Sequence, residues 1–358
     1  MLYSGLDVWQ YLQNCKKPIV LYGMGNGADK IISVMERFGL CPADFFASDG
    51  FVRGHSFHGK RVLSFSEVRE KYDDFVIVLS FASALPELLE RFDQLDRDFD
   101  LVVPDVPVCG GELFDSAYFA RHRAELEETY QMLEDTRSRE IFENVVSYKL
   151  SGRLRYLQMA QCTDEEEDAL LCPQRFTSYA DLGAYNGDTV RRQLKKSPQL
   201  KRAVAMEPDP RNFKKLENFC AGVPQVEFSL SQAAAWDTDG AWNFSADGSR
   251  SATAEEAAFL LGKNTKKRPV QTACLDTLLA GACVDYIKYD VEGSEAKALR
   301  GSAQTIRQHH PALLVSLYHR TEDLIELPRL IREIDPTYRL YIRRFPYVPA
   351  WDLNLYCI

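Results

Sequence analysis

Short apolar runs alternate with helical patterns over the first hundred residues. The apolar runs are Pro18–Gly23, Phe45–Asp49 and Phe75–Ser80, and a helical pattern extends from Ala28 to Phe38. Apolar runs separated by helices are typical of parallel strands in a sheet that helices cover on both faces. The pattern therefore predicts a doubly wound, Rossmann-like domain over residues 1–110.

The pattern becomes helical over residues 111–175. Apolar positions recur there at helical spacing, and a break is expected near Asp135. Thr163 is followed three positions later by Glu166, which is the pattern of a helix capping box, although the acidic residues around it would also suit a metal. We interpret the segment as a helical linker.

A second α/β series begins near residue 176. Its seven predicted strands are Tyr179–Gly183, Ala203–Glu207, Val226–Leu230, Tyr286–Val291, Ala312–Leu317, Tyr338–Arg343 and Leu353–Cys357. The connection between the last two is too short for a parallel crossover, so we expect them to be antiparallel. The predicted fold class is α/β, with two doubly wound Rossmann-like domains, the second of seven strands over residues 176–358.

The composition is that of a globular protein without a surface for nucleic acid. The chain has 358 residues, of which 46% are hydrophobic and 27% charged, and its net charge is −9. This length is sufficient for two cores of roughly 100 to 200 residues each. An acidic chain without a basic stripe is a poor candidate for binding DNA or RNA, so we expect no nucleic-acid partner.

The sequence also lacks the patterns of export and of membrane insertion. Its start has no basic segment followed by an apolar one, and no run of about 18 apolar residues occurs. The nine cysteines are scattered, without a Cys-x-x-Cys pair or zinc-like spacing. We therefore expect a soluble cytoplasmic protein with reduced thiols and no membrane partner, and a homodimer remains open.

A glycine-bearing turn follows the first predicted strand. Gly23, Gly25 and Gly27 are spaced as in dinucleotide-binding turns, and Asp49 closes the next strand. The turn could bind a nucleotide or a nucleotide sugar, and an NAD-dependent oxidoreductase would use the same pattern. The alternative is that the glycines only permit a tight strand-to-helix turn. The oxidoreductase also needs a hydride-transfer site, such as Tyr-x-x-x-Lys, which we do not find in this domain.

A second glycine-bearing turn opens the second series. The segment Tyr179–Thr189 reads as a buried strand, a turn and the start of a helix. Such a turn lets the backbone approach a ligand, and the N–H groups of the helix favour a carboxylate. We expect Asp181, below the turn, to meet an ammonium group of the ligand directly or through water. The predicted cofactor contacts in this segment are Asp181, Gly183, Ala184, Tyr185, Asn186, Gly187 and Thr189.

Two further strand ends extend this predicted cofactor site. Glu207 ends the next strand, where a carboxylate can accept hydrogen bonds from two ribose hydroxyls. Ala235 follows the third strand, in a run of small residues that would let an adenine ring lie against the backbone. Together the three regions predict S-adenosylmethionine as the cofactor and methyl transfer as the reaction.

Polar residues also end the fourth and fifth strands of the series. Asp290 and Glu292 follow the fourth strand, and His319 follows the fifth. Because the carboxyl ends of parallel strands meet at one edge, we expect all three at the cofactor crevice, with Asp290 also touching the cofactor. We interpret His319 as the general base and the two acids as groups that orient the acceptor. A capping or surface histidine is the alternative, and a divalent metal on the three residues stays open without being predicted.

These segments resemble a known family, the FkbM-type S-adenosylmethionine-dependent methyltransferases. The resemblance is carried by Asp181–Thr189, Glu207–Asp209 and Tyr286–Glu295. Ser138–Val146, Ser151–Leu154 and Tyr22–Gly27 resemble the bacterial branch with an extra Rossmann-like N-terminal domain. One departure is Tyr289, where an aliphatic residue is usual.

The resemblance implies a class I methyltransferase fold and a function. It implies O-methylation of a hydroxyl on a small-molecule or glycan acceptor, such as a sugar, a polysaccharide or a related natural product. It also implies that Asp181, Gly183, Asn186, Gly187 and Glu207 contact the cofactor. A protein that binds S-adenosylmethionine without turnover is the remaining alternative.

Overall fold

Helices and strands alternate along most of the protein, whose structure is a computed structural model describing residues 5–52, 54–242 and 270–358. The strands are β1 (Ile19–Tyr22), β2 (Asp44–Phe46), β3 (Ser56–Phe57), β4 (Lys60–Arg61), β5 (Val76–Leu79), β6 (Asp100–Val102), β7 (Ser178–Leu182), β8 (Arg202–Met206), β9 (Glu227–Ser231), β10 (Ala234–Ala235), β11 (Gly240–Trp242), β12 (Val270–Ala273), β13 (Tyr286–Tyr289), β14 (Ala312–Ser316), β15 (Leu340–Arg344) and β16 (Leu353–Cys357). The helices are α1 (Val8–Asn14), α2 (Asn26–Arg37), α3 (Phe65–Lys71), α4 (Pro86–Asp98), α5 (Ser116–Arg121), α6 (Arg123–Met132), α7 (Thr136–Ser151), α8 (Leu154–Met159), α9 (Asp164–Leu171), α10 (Asp188–Lys196), α11 (Pro210–Ala221), α12 (Leu275–Leu279), α13 (Glu295–Arg300), α14 (Ala303–His309) and α15 (Asp323–Ile334). The predicted mixed α/β class is confirmed. None of these helices is both long and apolar enough to cross a membrane.

The larger sheet contains seven strands in the order β15-β16-β14-β13-β7-β8-β9. Adjacent strands of this sheet are parallel, except that β16 runs antiparallel to both β14 and β15. The predicted antiparallel pairing of the last two strands is therefore confirmed. Each predicted strand overlaps an observed one, with ends that differ by at most two residues. Every residue of β7, β13, β14, β15 and β16 is buried, because helices cover both faces of this part of the sheet.

The smaller N-terminal sheet is parallel, with the order β2-β1-β5-β6. The predicted strand runs are found at β1, β2 and β5, and the predicted helix Ala28–Phe38 is α2. After β2 the chain crosses to the opposite side of β1 to form β5. The carboxyl ends of β1 and β5 therefore form the switch point of this sheet.

Helices α5 to α9 connect the two sheets. The break expected near Asp135 is confirmed, because α6 ends before this residue. The Asp135 side chain caps α7 by accepting the backbone N–H of Ser138 at 2.7 Å. The capping box at Thr163 and Glu166 is also confirmed at the start of α9. The acidic residues around Thr163 therefore stabilise the N-terminus of α9, by capping it and by placing negative charge in its first turn.

The N-terminal part of the chain contacts the larger sheet near its functional edge. Ser83 and Val348, which lies between β15 and β16, exchange two backbone hydrogen bonds of 2.8 and 2.9 Å. The backbone N–H groups of Val108 and Cys109 both donate to the carbonyl oxygen of His319 at 3.1 Å. The segment after β6 is thus held against the end of β14.

Candidate functional site

A cavity of about 500 Å³ lies at the carboxyl ends of β7, β8 and β13. Predicted cofactor residues that line it are Gly183, Tyr185, Thr189, Glu207, Ala235 and Asp290. Glu292, which was predicted as an acceptor-orienting group, lines it too. Ligand sites of α/β sheets lie at this edge, and the volume is in the usual range for a small-molecule site.

The turn after β7 requires glycine at two positions. Gly183 has a φ of +88°, and a Cβ built on it would lie 1.9 Å from the carbonyl oxygen of Asp290. Gly187 has a φ of +87°, and its Cβ would lie 2.6 Å from the ring of Phe219. Both positions need a left-handed backbone and a close approach that only glycine allows. The predicted contacts Ala184, Asn186 and Gly187 belong to this turn without lining the cavity.

Glu207 connects the turn after β7 with the end of β8. Its side chain is buried, with 7% of the residue exposed, and it accepts the backbone N–H groups of Tyr185 at 2.9 Å and Asp209 at 2.8 Å. Burial raises the pKa of Glu207 to about 7, against the opposing effect of these two hydrogen bonds. Each carboxylate oxygen has a second lone pair, so the group can still accept hydrogen bonds from a ligand in the cavity.

Asp181 lies beneath the turn and lines neither this cavity nor the second cavity described next. It is completely buried, accepts a short hydrogen bond from the Thr189 hydroxyl and lies 3.4 Å from Lys288 Nζ. Burial raises the pKa of Asp181. Thr189 and Lys288 both contact the carboxylate, and the expected contact of Asp181 with a ligand ammonium, directly or through water, stays a prediction.

A second cavity, of about 480 Å³, adjoins the first. The residues that line both are Asp188, Thr189, Lys288, Asp290 and Glu292. Three half-buried aromatic side chains form part of its wall: Tyr318 and Trp351 stack with ring centroids 6.4 Å apart, and Tyr347 lies 5.7 Å from Trp351. The shared residues make one continuous space with two compartments.

Asp290 stands where the two compartments meet. It accepts the Tyr318 hydroxyl at 2.9 Å, and its carboxylate lies 3.3 Å from Lys288 Nζ and 3.6 Å from His319 Nε2. Burial would raise its pKa, but Lys288 and then His319 outweigh burial and lower the pKa to about 2. Burial likewise acts against charge on Lys288, and Asp181 and Asp290 overcome it to raise the Lys288 pKa. Asp290 is therefore a carboxylate, and Lys288 a cation, at neutral pH.

His319 is surrounded by acids and has no exposed surface. Its Nδ1 lies 2.9 Å from the buried Glu295, and its Nε2 lies 3.1 Å from Glu292. Burial alone would lower its pKa, but Glu295 and Glu292 raise the pKa well above the usual 6.5. The ring is then an imidazolium at neutral pH, with no lone pair to accept a proton, and it lines neither cavity. This geometry does not support His319 as the general base.

In the part of the chain that the structure describes, no group of three or more His, Cys, Asp or Glu side chains is arranged to hold a metal ion. The nearest candidate combines Asp290, Glu292 and His319. Both ring nitrogens of His319 face carboxylates, Nδ1 that of Glu295 and Nε2 those of Asp290 and Glu292.

Comparison with known proteins identifies the family of this site. Residues 181–340 match the family described as the methyltransferase FkbM domain. This range includes the glycine turn after β7, Asp290, Glu292 and His319. This part of the chain belongs to the FkbM methyltransferase family. No curated protein sequence matches the chain.

Solved structures extend the similarity of fold beyond the FkbM domain. A methyltransferase FkbM from Methylobacillus flagellatus KT has a TM-score of 0.72 at 20% identity, covering 96% of this chain and 90% of that chain. At this identity the match shows a shared fold, which includes the N-terminal sheet. An Aeropyrum pernix fibrillarin with bound S-adenosyl-L-methionine has a TM-score of 0.33 at 11% identity, covering 52% of this chain and 68% of that one. An rRNA methylase from Streptococcus thermophilus has a TM-score of 0.36 at 7% identity, covering 55% and 96%. These two TM-scores are too low to show a shared fold.

The N-terminal glycine turn lies apart from the two cavities of the FkbM domain. A Cβ on Gly23 would lie 2.7 Å from the Phe81 ring, and a Cβ on Gly27 would lie 2.4 Å from the Ser80 carbonyl oxygen. Packing alone accounts for glycine at these two positions. Gly25 has a φ of +111° and open space around it, so its backbone angle is what favours glycine.

The last predicted residue of this turn, Asp49, is described only in part. It begins a short 3-10 turn after β2. Its side chain lies outside the described part of the structure. The predicted second-ligand site therefore stays a prediction.

Sequence reasoning missed many of the residues that line the two cavities, and four of them are instructive. Lys288, Tyr318 and Trp351 line the second cavity, and Val108 reaches it from the segment after β6. Lys288 had a signal, since a lysine within a fully buried strand needs a partner. Val108 had none, because its position depends on backbone hydrogen bonds between segments distant in sequence.

Proposed function

We propose that this protein is an S-adenosylmethionine-dependent O-methyltransferase that acts on a hydroxyl of a sugar, a polysaccharide or a related natural product. The observation that carries the proposal is the pair of joined cavities at the carboxyl edge of the seven-stranded sheet. One cavity has the donor set for the cofactor, and the other has a wall suited to an acceptor. Membership of the FkbM methyltransferase family supports the reaction class.

The residues of the first cavity fit S-adenosylmethionine. Glu207 would hold the ribose hydroxyls, the Gly183 turn and the start of α10 the amino-acid part, and Ala235 the adenine face. When bound, this cofactor supplies an activated methyl group. Asp181 supports the site from below by fixing Thr189 and Lys288.

The second cavity suits a hydroxylated acceptor. The flat faces of Tyr318 and Trp351 can pack against the C–H surface of a sugar ring, while buried polar groups such as Ser316 and Asn354 can exchange hydrogen bonds with hydroxyls. A site of this kind holds the acceptor in one orientation. Holding the reactants in the right orientation can lower the activation free energy of such a transfer by about 7 to 11 kcal/mol.

We assign the proton of the acceptor hydroxyl to Glu292. This carboxylate lines both cavities and is half exposed. Asp290 contacts Lys288 and Tyr318, and its pKa of about 2 makes it a weak base. Asp290 would accept a hydrogen bond that orients the acceptor. His319 would position Glu292 through its imidazolium.

We further propose that the two sheets mark two Rossmann-like domains, residues 1–110 and 176–358, joined by the helical segment 111–175. The N-terminal domain would shape the acceptor cavity, because Val108 lines that cavity and Ser83 pairs with the loop that carries Trp351. We also propose that the protein acts in the cytoplasm.

Calorimetric titration with S-adenosylhomocysteine tests the cofactor assignment. We expect the wild type to bind and Glu207→Ala to lose at least tenfold in affinity, because a charge-assisted hydrogen bond contributes about 1.5 to 3 kcal/mol. Glu227→Ala is the matched control, since this exposed carboxylate starts β9 at the opposite edge of the sheet. Wild-type affinity in Glu207→Ala would refute the assignment. Binding of NADH in place of S-adenosylhomocysteine would favour the oxidoreductase alternative.

A further inference from the structure

A third cavity, here called the interdomain groove, lies between α4 and the larger sheet. Its volume is about 700 Å³. Along α4 it is lined by Pro86, Leu89, Glu90 and Asp93, which follow the spacing of one helix face. The opposite wall includes residues 161–164 and the Phe345–Pro346 pair, which directly precedes Tyr347.

The groove continues the acceptor cavity. Arg192 and Asp352 line both spaces, so the second cavity opens into the groove at these two side chains. The first and second cavities already share Asp290 and Glu292. A continuous path therefore leads from the proposed methyl donor, past the acceptor hydroxyl, to the groove between the two parts of the chain.

The charge of the groove limits what can occupy it. Its carboxylates are Glu90, Asp93, Asp164 and Asp352. Among the described residues that line the groove, Arg192 is the one cation, and it already contacts Asp164 at 2.6 Å and Glu167 at 2.7 Å. A phosphate or a carboxylate on an acceptor would therefore meet more negative than positive charge from these described residues. Hydroxyl groups can instead donate to the acids, and the apolar surfaces of Leu89 and Phe345 can pack against ring C–H groups.

We propose that the interdomain groove is a second acceptor subsite, which binds the units of an uncharged oligosaccharide beyond the ring that is methylated. This inference rests on the proposed function. It adds that the acceptor is a chain of at least two or three sugar units, without phosphate or uronate in the distal part. The two parts of the protein then hold one acceptor between them.

The test compares acceptors of increasing length in the full-length protein. Neutral oligosaccharide series of one to six units (malto-, cello-, xylo-, manno- and chito-oligosaccharides) are incubated with radiolabelled S-adenosylmethionine, and kcat/KM is measured for each. We expect kcat/KM to rise at least tenfold from one to four units in the accepted series. A flat length dependence, or a preference for a phosphorylated acceptor, overturns the inference.

Two double variants of α4 locate the effect. Glu90→Trp with Asp93→Trp fills the groove, whereas Glu87→Trp with Gln94→Trp places the same residues on positions of α4 that do not line it. The first should lose the gain with length and keep the rate on the single unit, and the second should keep both. Thermal unfolding of both proteins shows whether they fold. Retention of the full gain in the first variant overturns the inference.

Failure of the inference can be distinguished from failure of the proposed function. A protein that does not bind S-adenosylhomocysteine overturns the proposed function. A protein that binds it but methylates no member of the panel overturns the oligosaccharide subsite alone.

Discussion

Replacing Gly183 with alanine tests whether the turn after β7 depends on the close approach between Gly183 and the carbonyl oxygen of Asp290. A Cβ at this position would lie 1.9 Å from the carbonyl oxygen of Asp290, whereas real Cβ atoms stay at least 3.0 Å away. The turn or the carbonyl must therefore move by about 1 Å. The carbonyl cannot move freely, because the N–H of Asp290 donates to Leu182 at 3.0 Å and its carboxylate contacts Lys288 and Tyr318.

The magnitude follows from two separate costs. An alanine in the left-handed region costs about 1 to 2 kcal/mol, and overpacking a close contact adds about 1 to 3 kcal/mol. Gly281→Ala isolates the first cost, since Gly281 has a φ of +85°, close to the +88° of Gly183. Among the described residues other than its two chain neighbours, none has a heavy atom within 4 Å of a Cβ built on Gly281. We expect Gly183→Ala to lose about 2 to 5 kcal/mol of unfolding free energy, and Gly281→Ala about 1 to 2 kcal/mol.

Two measurements on both variants decide the matter. Urea unfolding gives the free energies, and calorimetric titration gives the affinity for S-adenosylhomocysteine at a temperature where both proteins are folded. We expect Gly183→Ala to bind at least tenfold more weakly than wild type, because the displaced turn and Asp290 both border the first cavity. Gly281→Ala should bind normally. Equal stability and equal affinity in the two variants would refute the close approach and its role in binding.

Three further predictions follow from buried ionisable groups. Burial raises the pKa of Glu207 from 4.5 to about 7, so its carboxylate is ionised only as the pH approaches and passes 7. The calorimetric affinity for S-adenosylhomocysteine should therefore rise from about pH 6 to 8 in wild type and stay flat in Glu207→Gln. The contribution of Glu207 to folding stability should fall as the pH rises above 4.5. Lys149→Ala should lower the urea unfolding free energy by about 3 to 5 kcal/mol, since it leaves Asp105 buried without its 2.6 Å partner, and a loss below about 1 kcal/mol would contradict this. Because the pKa of His319 is raised in the folded protein, its pairing with Glu295 stabilises the fold fully below pH 6.5 and less as the pH rises through the folded-state pKa. The thermal unfolding of His319→Gln should lack this pH dependence. If wild type and His319→Gln show the same dependence of unfolding on pH, His319 is not charged in the folded protein.

Much of the fold could be predicted because local sequence and tertiary structure agree. The buried strands of the larger sheet are mostly apolar runs of four or five residues, and their ends were predicted to within two residues. The small sheet of β10, β11 and β12 was not predicted. Its strands are two to four residues long, and strand pairs this short give no clear periodicity.

The candidate site was predictable in place and less so in chemistry. The edge rule for parallel strands correctly brought Gly183, Glu207 and Asp290 to one cavity, because strand direction alone fixes that edge. The ionisation of His319 could not be predicted. It depends on Glu295, whose carboxylate reaches the ring only because the chain turns back after β13, and on the complete burial of both groups.

The contacts of the N-terminal part of the chain with the larger sheet could not be predicted from the sequence either. Val108 and Cys109 are held by two backbone hydrogen bonds to His319, and backbone contacts leave no mark on residue type. Yet these bonds place Val108 in the wall of the second cavity, and the Ser83 pairing holds the loop that carries Tyr347 and Trp351. A methyltransferase domain on its own would lack both supports. If the second cavity binds the acceptor as proposed, we expect acceptor specificity to depend on these contacts between the two parts of the chain, and to change with substitutions in the groove between them.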